Sequence, residues 1–348
     1  MQEGYLNLET LWFGLIAILW TGYFFLEGFD FGVGVLLPFL GKDEIDRRVL
    51  VNTIGPVWDG NEVWLIVAGG ATFAAFPEWY ATMFSGFYLA LFLILAALIF
   101  RGVAFELRGK DARLQWRARW DLAIFWGSAV PAFLWGVAWA NILRGTPVGP
   151  DHVWVGSFLD LLNPYALLGG LTTLSLFTLH DSVFLTLKTK GEIQERARRA
   201  AKLLAWPTTA AVFGFLGWSF LRAHSTGIDG IVPPLVPILA LVAVAAVEWL
   251  LREKLDGWAF GLTAAAIVGI AATVFLNLYP RVMPSSVDPA YDLTIWNAAS
   301  THYTLKVMTV VALIFTPLVL VYQAWTYWVF RKRIGREDVE GAAAVHPG

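Results

Sequence analysis

Residues 11–40 read LWFGLIAILWTGYFFLEGFDFGVGVLLPFL, thirty residues with two carboxylates, Glu27 and Asp30, and no basic residue. A helix of about 20 apolar residues crosses a bilayer core, so this run predicts a membrane-spanning helix with acids inside it. The next apolar run repeats the oddity. Trp58-Asp59-Gly60-Asn61-Glu62-Val63-Trp64 places Asp59 and Glu62 within a second span. A charge at the centre of a membrane helix costs ~2.5–3.5 kcal/mol on insertion scales, so such acids are functional candidates by default.

Composition extends this reading to the whole chain. Of 348 residues 57% are hydrophobic and only 15% charged, and the mean hydropathy is +0.61. Soluble domains carry roughly 25% charge, which excludes that class. Apolar runs predict an all-α integral membrane protein with nine spans, at about 10–40, 50–76, 79–100, 120–142, 160–187, 203–221, 232–251, 257–278 and 305–330. Residues 1–336 form one polytopic domain in this reading, and 337–348 a frayed tail.

All but four of the 25 Lys and Arg, among them Arg101, fall in alternate loops or helix ends on one face; the exceptions are Arg144, Arg222, Arg281 and Lys306. The positive-inside rule puts the basic face in the cytoplasm, the N-terminus outside and the C-terminus inside. No cleavable leader is expected, because the first span lacks a basic flank and far exceeds a leader's apolar core. The net charge of −2 conceals this asymmetry and points to no nucleic acid partner. With no Cys, thiolate metal sites and iron–sulfur ligation are excluded.

Glu27 and Asp30 are three apart, as are Asp59 and Glu62, a spacing that puts each pair on one helix face. The short connection 41–49 makes the two helices antiparallel neighbours. Asp30 and Asp59 then lie at similar depth, ~20 Å from the turn. No Lys or Arg is expected at that depth, so at least one proton per pair is expected to stay bound at neutral pH. Such groups suit proton relay. The competing reading, a protonated carboxyl that fixes helix packing, weighs more on Glu27 and Glu62 than on Asp59. Asp121 reads as a charge at a helix N-terminus, and Glu248 with Arg252 as an i,i+4 surface pair. The basic loops around 101–119 and 187–202 read as short interfacial helices, and Pro56, Pro131 and Pro317 as helix-interior kinks. Gly28, Gly32 and Gly34, and also Gly69 and Gly70, read as close-packing faces. His180 is the one histidine within a span, too few for a haem–copper centre. The 279–304 connection is the longest on the outer face and reads as a lid or a docking surface.

The motifs together resemble subunit II of cytochrome bd-type quinol oxidases. The resemblance rests on Glu27-Gly-Phe-Asp30-Phe-Gly-Val-Gly34, Arg47-Arg48 and Pro56-Val-Trp-Asp-Gly-Asn-Glu-Val-Trp-Leu65. It extends to Phe84-Ser-Gly-Phe-Tyr88, Phe100-Arg101, Leu162-Asn163-Pro164 and Met283-Pro-Ser-Ser286. It implies two four-helix bundles plus one peripheral helix. It also implies a complex in the bacterial plasma membrane that oxidises quinol and reduces oxygen to water without pumping. Two b-type haems, haem d and the quinol site belong to subunit I in that family. Subunit II stabilises its partner and helps deliver protons. Asp59 occupies the position of the family's proton-path aspartate, Trp58 lines it, and Asp30, Glu27 and Glu62 are candidate helpers. Position 62 can be an amide in the family, and His180 carries no family ligand role. A structural quinone or lipid in a groove is expected, without a residue pattern to mark it. The short outer loop 222–231 bears on contacts with small single-span accessory subunits. Two other readings of the acids are a proton-coupled secondary transporter and a purely structural assembly subunit.

Overall fold

The computed structural model describes residues 7–225 and 235–345; the expected loop 222–231 falls largely outside them. The helices are α1 (Leu8–Leu40), α2 (Glu44–Ile54), α3 (Trp58–Ala75), α4 (Pro77–Gly86), α5 (Tyr88–Leu107) and α6 (Leu114–Arg144). They continue as α7 (Pro164–Lys188), α8 (Gly191–Ser225), α9 (Leu235–Arg252), α10 (Asp256–Leu278), α11 (His302–Val329) and α12 (Arg336–Val345). Two short strands, β1 (Arg281–Met283) and β2 (Leu293–Thr294), pair antiparallel in the 279–304 connection. That connection is tied to the loop after α6, where the Thr146 N–H donates to the Pro284 carbonyl at 2.8 Å and the Ser286 N–H to the Thr146 carbonyl at 2.8 Å.

Among the described residues seven helices are long and apolar enough to cross a membrane: α1, α5, α6, α8, α9, α10 and α11. The other two expected spans are helical but more polar, because α3 carries Asp59, Asn61 and Glu62 and α7 carries His180, Asp181 and Lys188. Helix α1 runs through the centre, packed by α3, α6, α7 and α10. Its small face permits this. A Cβ at Gly32 would lie 2.0 Å from Asp181 Cβ, and one at Gly34 would lie 2.0 Å from Ser128 Oγ. Lipid tails are as apolar as Leu, so close van der Waals packing of this kind, rather than escape from water, holds membrane helices together. By contrast Gly69 and Gly70 meet nothing within 4 Å among the described residues and form no close-packing face there.

Several expectations need correction. The span 50–76 is two helices, and Pro56 lies in the break between α2 and α3 rather than inside a helix; proline lacks the N–H that a continuing helix needs. The basic segments 101–119 and 187–202 are not separate interfacial helices. Helix α5 runs on to Leu107, and α8 starts at Gly191 and is continuous. Tail residues 336–345 form α12, docked on α2 through Arg336, which donates to Asp43 at 2.7 Å and to Asp46 at 2.6 Å. Asp121 is no simple helix-end charge. It is buried and receives Arg47 at 2.9 Å and Arg108 at 2.5 Å, clamping the basic ends of α2, α5 and α6. The Glu248–Arg252 pair forms as expected, at 2.5 Å.

Candidate functional site

The break before α3 sets the geometry of the site. It starts α3 close to the level of Asp30, so the first turn of α3 faces the middle of α1. Asn61 is buried and its side-chain amide donates to Asp30 Oδ2 at 2.7 Å. Asn61 Oδ1 accepts from Tyr327 Oη at 2.8 Å and from Gln323 Nε2 at 3.3 Å, and Trp64 Nε1 donates to Gln323 Oε1 at 2.9 Å. These bonds seat the largely unburied helix α11 against α3. Asp30 Oδ1 is buried with no partner among the described residues.

The expectation that no cation reaches this depth is wrong. Arg101 of α5 is fully buried, and its Nη2 donates to Glu27 Oε1 and to Glu62 Oε1, the latter at 2.6 Å. Its guanidinium carbon also lies 4.8 Å from the centre of the Phe31 ring. The sequence reading placed Arg101 at a cytoplasmic helix end. The signal it passed over is the apolar stretch Gly102-Val103-Ala104-Phe105, which carries the span one turn further. The guanidinium between Glu27 and Glu62 offsets one of their two charges, so one retained proton is still required to neutralise the pair. Asn61, Gln323 and Tyr327 were also missed, being ordinary polar residues with no charge to mark them.

Asp59 does not join this centre. Successive helical residues turn by ~100°, so with Asn61 facing inward Asp59 points roughly 160° away, and Glu62 sits between them. Asp59 is accordingly exposed, and among the described residues its Oδ1 accepts only the neighbouring Gly60 N–H, at 2.7 Å. Glu62 keeps 25% of its side chain exposed. Trp58 is half-buried with its ring 5.0 Å from that of Phe105. The structure thus brings Glu27, Asp30 and Glu62 together around Arg101 and Asn61, and leaves Asp59 on the outer face of the same helix turn.

A second buried polar pair lies on α7. Asp181 and His180 are fully buried. His180 Nδ1 is 2.7 Å from Thr263 Oγ1, and its ring stacks on Phe260 at 4.6 Å with Phe25 at 5.5 Å. His180 Nε2 is buried with no partner among the described residues.

These features define a multi-pass helical membrane protein with a carboxylate–guanidinium centre inside it and a lone carboxylate on its outer face. Residues 8–330 match the family model for cytochrome bd terminal oxidase subunit II, and the chain belongs to that family. It is 45% identical over 332 residues to cytochrome bd ubiquinol oxidase subunit 2 of Bacillus subtilis, covering 95% of this chain and 98% of that one. It is 38% identical to cytochrome bd-I ubiquinol oxidase subunit 2 of Escherichia coli K12, covering 96% and 97%. The fold is shared with a chain in the structure of bd oxidase from Geobacillus thermodenitrificans, with a TM-score of 0.76 at 17% identity, covering 94% of this chain and all of that one. This chain is therefore a subunit of a terminal quinol oxidase of respiratory electron transport.

Proposed function

We propose that this chain supports a haem-bearing subunit I and passes protons from the cytoplasm toward it, with Asp59 as the delivering group. The observation that carries the proposal is the exposure of Asp59, on a helix whose sequence reads as part of a membrane span. An ionised carboxylate facing lipid is costly. A face bearing one suits cover by another protein, and subunit I is the partner that family membership supplies. The first turn of α3 also favours a carboxylate, because the unpaired N–H groups of a helix start are positive.

Within the chain, Glu62 spans the edge between Asp59 and the buried centre. Asp30, with one oxygen held by Asn61 and the other open, suits proton exchange. Arg101 holds Glu27 and Glu62 in place. That contact supports a second, structural reading for these two acids, and leaves Asp59 and Asp30 as the principal relay candidates. The complex oxidises quinol and reduces oxygen to water, and the haems of the partner, two b-type and one d-type, supply the oxygen chemistry. The N-terminus lies outside and the C-terminus in the cytoplasm of a bacterial plasma membrane.

Purification through a tag on this chain tests the assignment. The expected result is co-purification of a haem subunit with the red-end absorption of haem d and quinol-dependent oxygen uptake. A haem-free chain that moves a solute in liposomes would favour a transporter instead.

A further inference from the structure

At the basic end of the molecule a cavity of about 360 Å³ lies between α1, α7, α10 and α11. Its volume is in the ~300–1,000 Å³ range of ligand pockets. Phe25, Leu26 and Phe29 of α1, Phe184 and Leu187 of α7, and Phe260 of α10 form its walls. Phe29 and Phe184 stack at 4.4 Å. The two hydroxyls in the lining already donate elsewhere, Thr53 to the Leu50 carbonyl at 2.6 Å and Tyr327 to Asn61 at 2.8 Å. The interior therefore offers apolar surface and no free hydroxyl donor.

The lining also includes Lys188 and Arg331. Lys188 Nζ donates to the Phe330 carbonyl and, at 3.4 Å, to the Lys332 carbonyl, which holds it beside the end of α11. Arg331 Nη1 donates to the Trp328 carbonyl at 2.5 Å, and its guanidinium lies 4.4 Å over the Trp328 ring. No carboxylate among the described residues pairs with either cation. Nearby Arg108, Arg196, Arg198 and Arg336 each have one. Two side chains with several spare N–H donors and no counter-charge flank an apolar slot.

We infer that this cavity binds an anionic phospholipid, with an acyl chain among the phenylalanines and the phosphate on Lys188 and Arg331. Charge complementarity selects the anionic headgroup, and the mouth lies at the basic end where a cytoplasmic-leaflet lipid would reach it. A quinone ring needs donors for its carbonyls inside the slot, where the hydroxyls are already engaged. The inference rests on the membrane placement alone and is independent of the proton relay.

Native mass spectrometry of the purified complex, delipidated and then titrated with phosphatidylglycerol or phosphatidylcholine, tests it. One equivalent of phosphatidylglycerol is expected to be retained over phosphatidylcholine. Lys188→Gln with Arg331→Gln should lower its occupancy about tenfold at fixed lipid, while haem absorption reports that the complex is intact. Leu187→Trp, which narrows the slot and keeps both charges, should also lower occupancy. Arg331→Gln alone, at an exposed helix end, serves should the double variant fail to assemble, and should weaken phosphatidylglycerol binding by itself. Equal retention of the two lipids, unchanged phosphatidylglycerol binding in the charge variants, or loss of a quinone rather than a phospholipid in Leu187→Trp would each overturn the inference.

Discussion

Arg101 changes what the four acids can do. Its guanidinium is fully buried between Glu27 and Glu62. Removing one partner of a buried pair leaves an uncompensated charge and typically costs ~3–5 kcal/mol. Arg101→Gln is therefore expected to lower the thermal midpoint of the complex and its yield. Glu27→Gln added to Arg101→Gln should recover part of the loss, because the orphaned carboxylate is then gone. Thermal denaturation followed by haem absorption reads both, and equal midpoints for wild type and Arg101→Gln would contradict the ion-pair assignment. Lys at position 101 should not restore stability fully, since its Nζ lies one bond short of Arg101 Nη2, the single atom that donates to both carboxylates. Much of this centre was legible in the sequence: Glu27, Asp30 and Glu62 stood out as acids in apolar runs. Arg101 was hidden by the same rule that gave the orientation, because a basic residue at the end of an apolar run reads as a loop charge.

The break between α2 and α3 matters most at the scale of elements. An unbroken helix over 50–76 would run past Asp30 to the cytoplasmic end; the Gly55-Pro56-Val57 break instead starts α3 beside it and turns α2 into a support for the tail. Periodicity over 50–76 is apolar on both sides of the break, so only Pro56 marked it. Helix α12 is held to α2 by ion pairs. Asp43 is held below the usual carboxylate range by the Asp46 backbone N–H and then by Arg336. Lys190 is raised by its bonds to Glu337 and Asp338. A lowered acid contributes above its unfolded pKa, near 3.9, and its contribution is lost as the pH falls below that value. A raised lysine contributes below its unfolded pKa, near 10.4, and its contribution is lost as the pH rises above it. Docking of α12 should thus be insensitive to pH between about 5 and 9 and sensitive to salt. Hydrogen exchange over 336–345, corrected for intrinsic rates, should show constant protection across that window and less protection at high salt. Arg336→Ala should lower protection there without changing that of α1.

For the whole molecule, the sequence carried the class and the family resemblance, because hydropathy and intact motifs survive without knowledge of packing, while seven of the nine expected spans are long and apolar enough to cross a membrane among the described residues. Which face each acid occupies was not legible. Asp59 and Glu62 share a helical spacing, yet the inward choice of Asn61 sends Asp59 outward, and only the contact with Asp30 decides that. The absence of Cys offers a direct check of orientation. A single Cys introduced at Ala290 should react with an impermeant thiol reagent from outside, and one at Gly341 only after the membrane is opened; the reverse pattern would invert the topology. The central claim is that an outward carboxylate on α3 serves proton delivery to a partner. It is tested most directly by oxygen consumption and cytoplasmic proton uptake in the purified, reconstituted complex carrying Asp59→Asn, with haem spectrum and thermal midpoint measured alongside. Because Asp59 bonds only to its neighbouring backbone N–H, the spectrum and midpoint should stay as in wild type, while turnover and proton uptake fall together by about 100-fold, the lower end for loss of a positioned proton-transfer group. Unchanged turnover and proton uptake with a normal haem spectrum would contradict the claim.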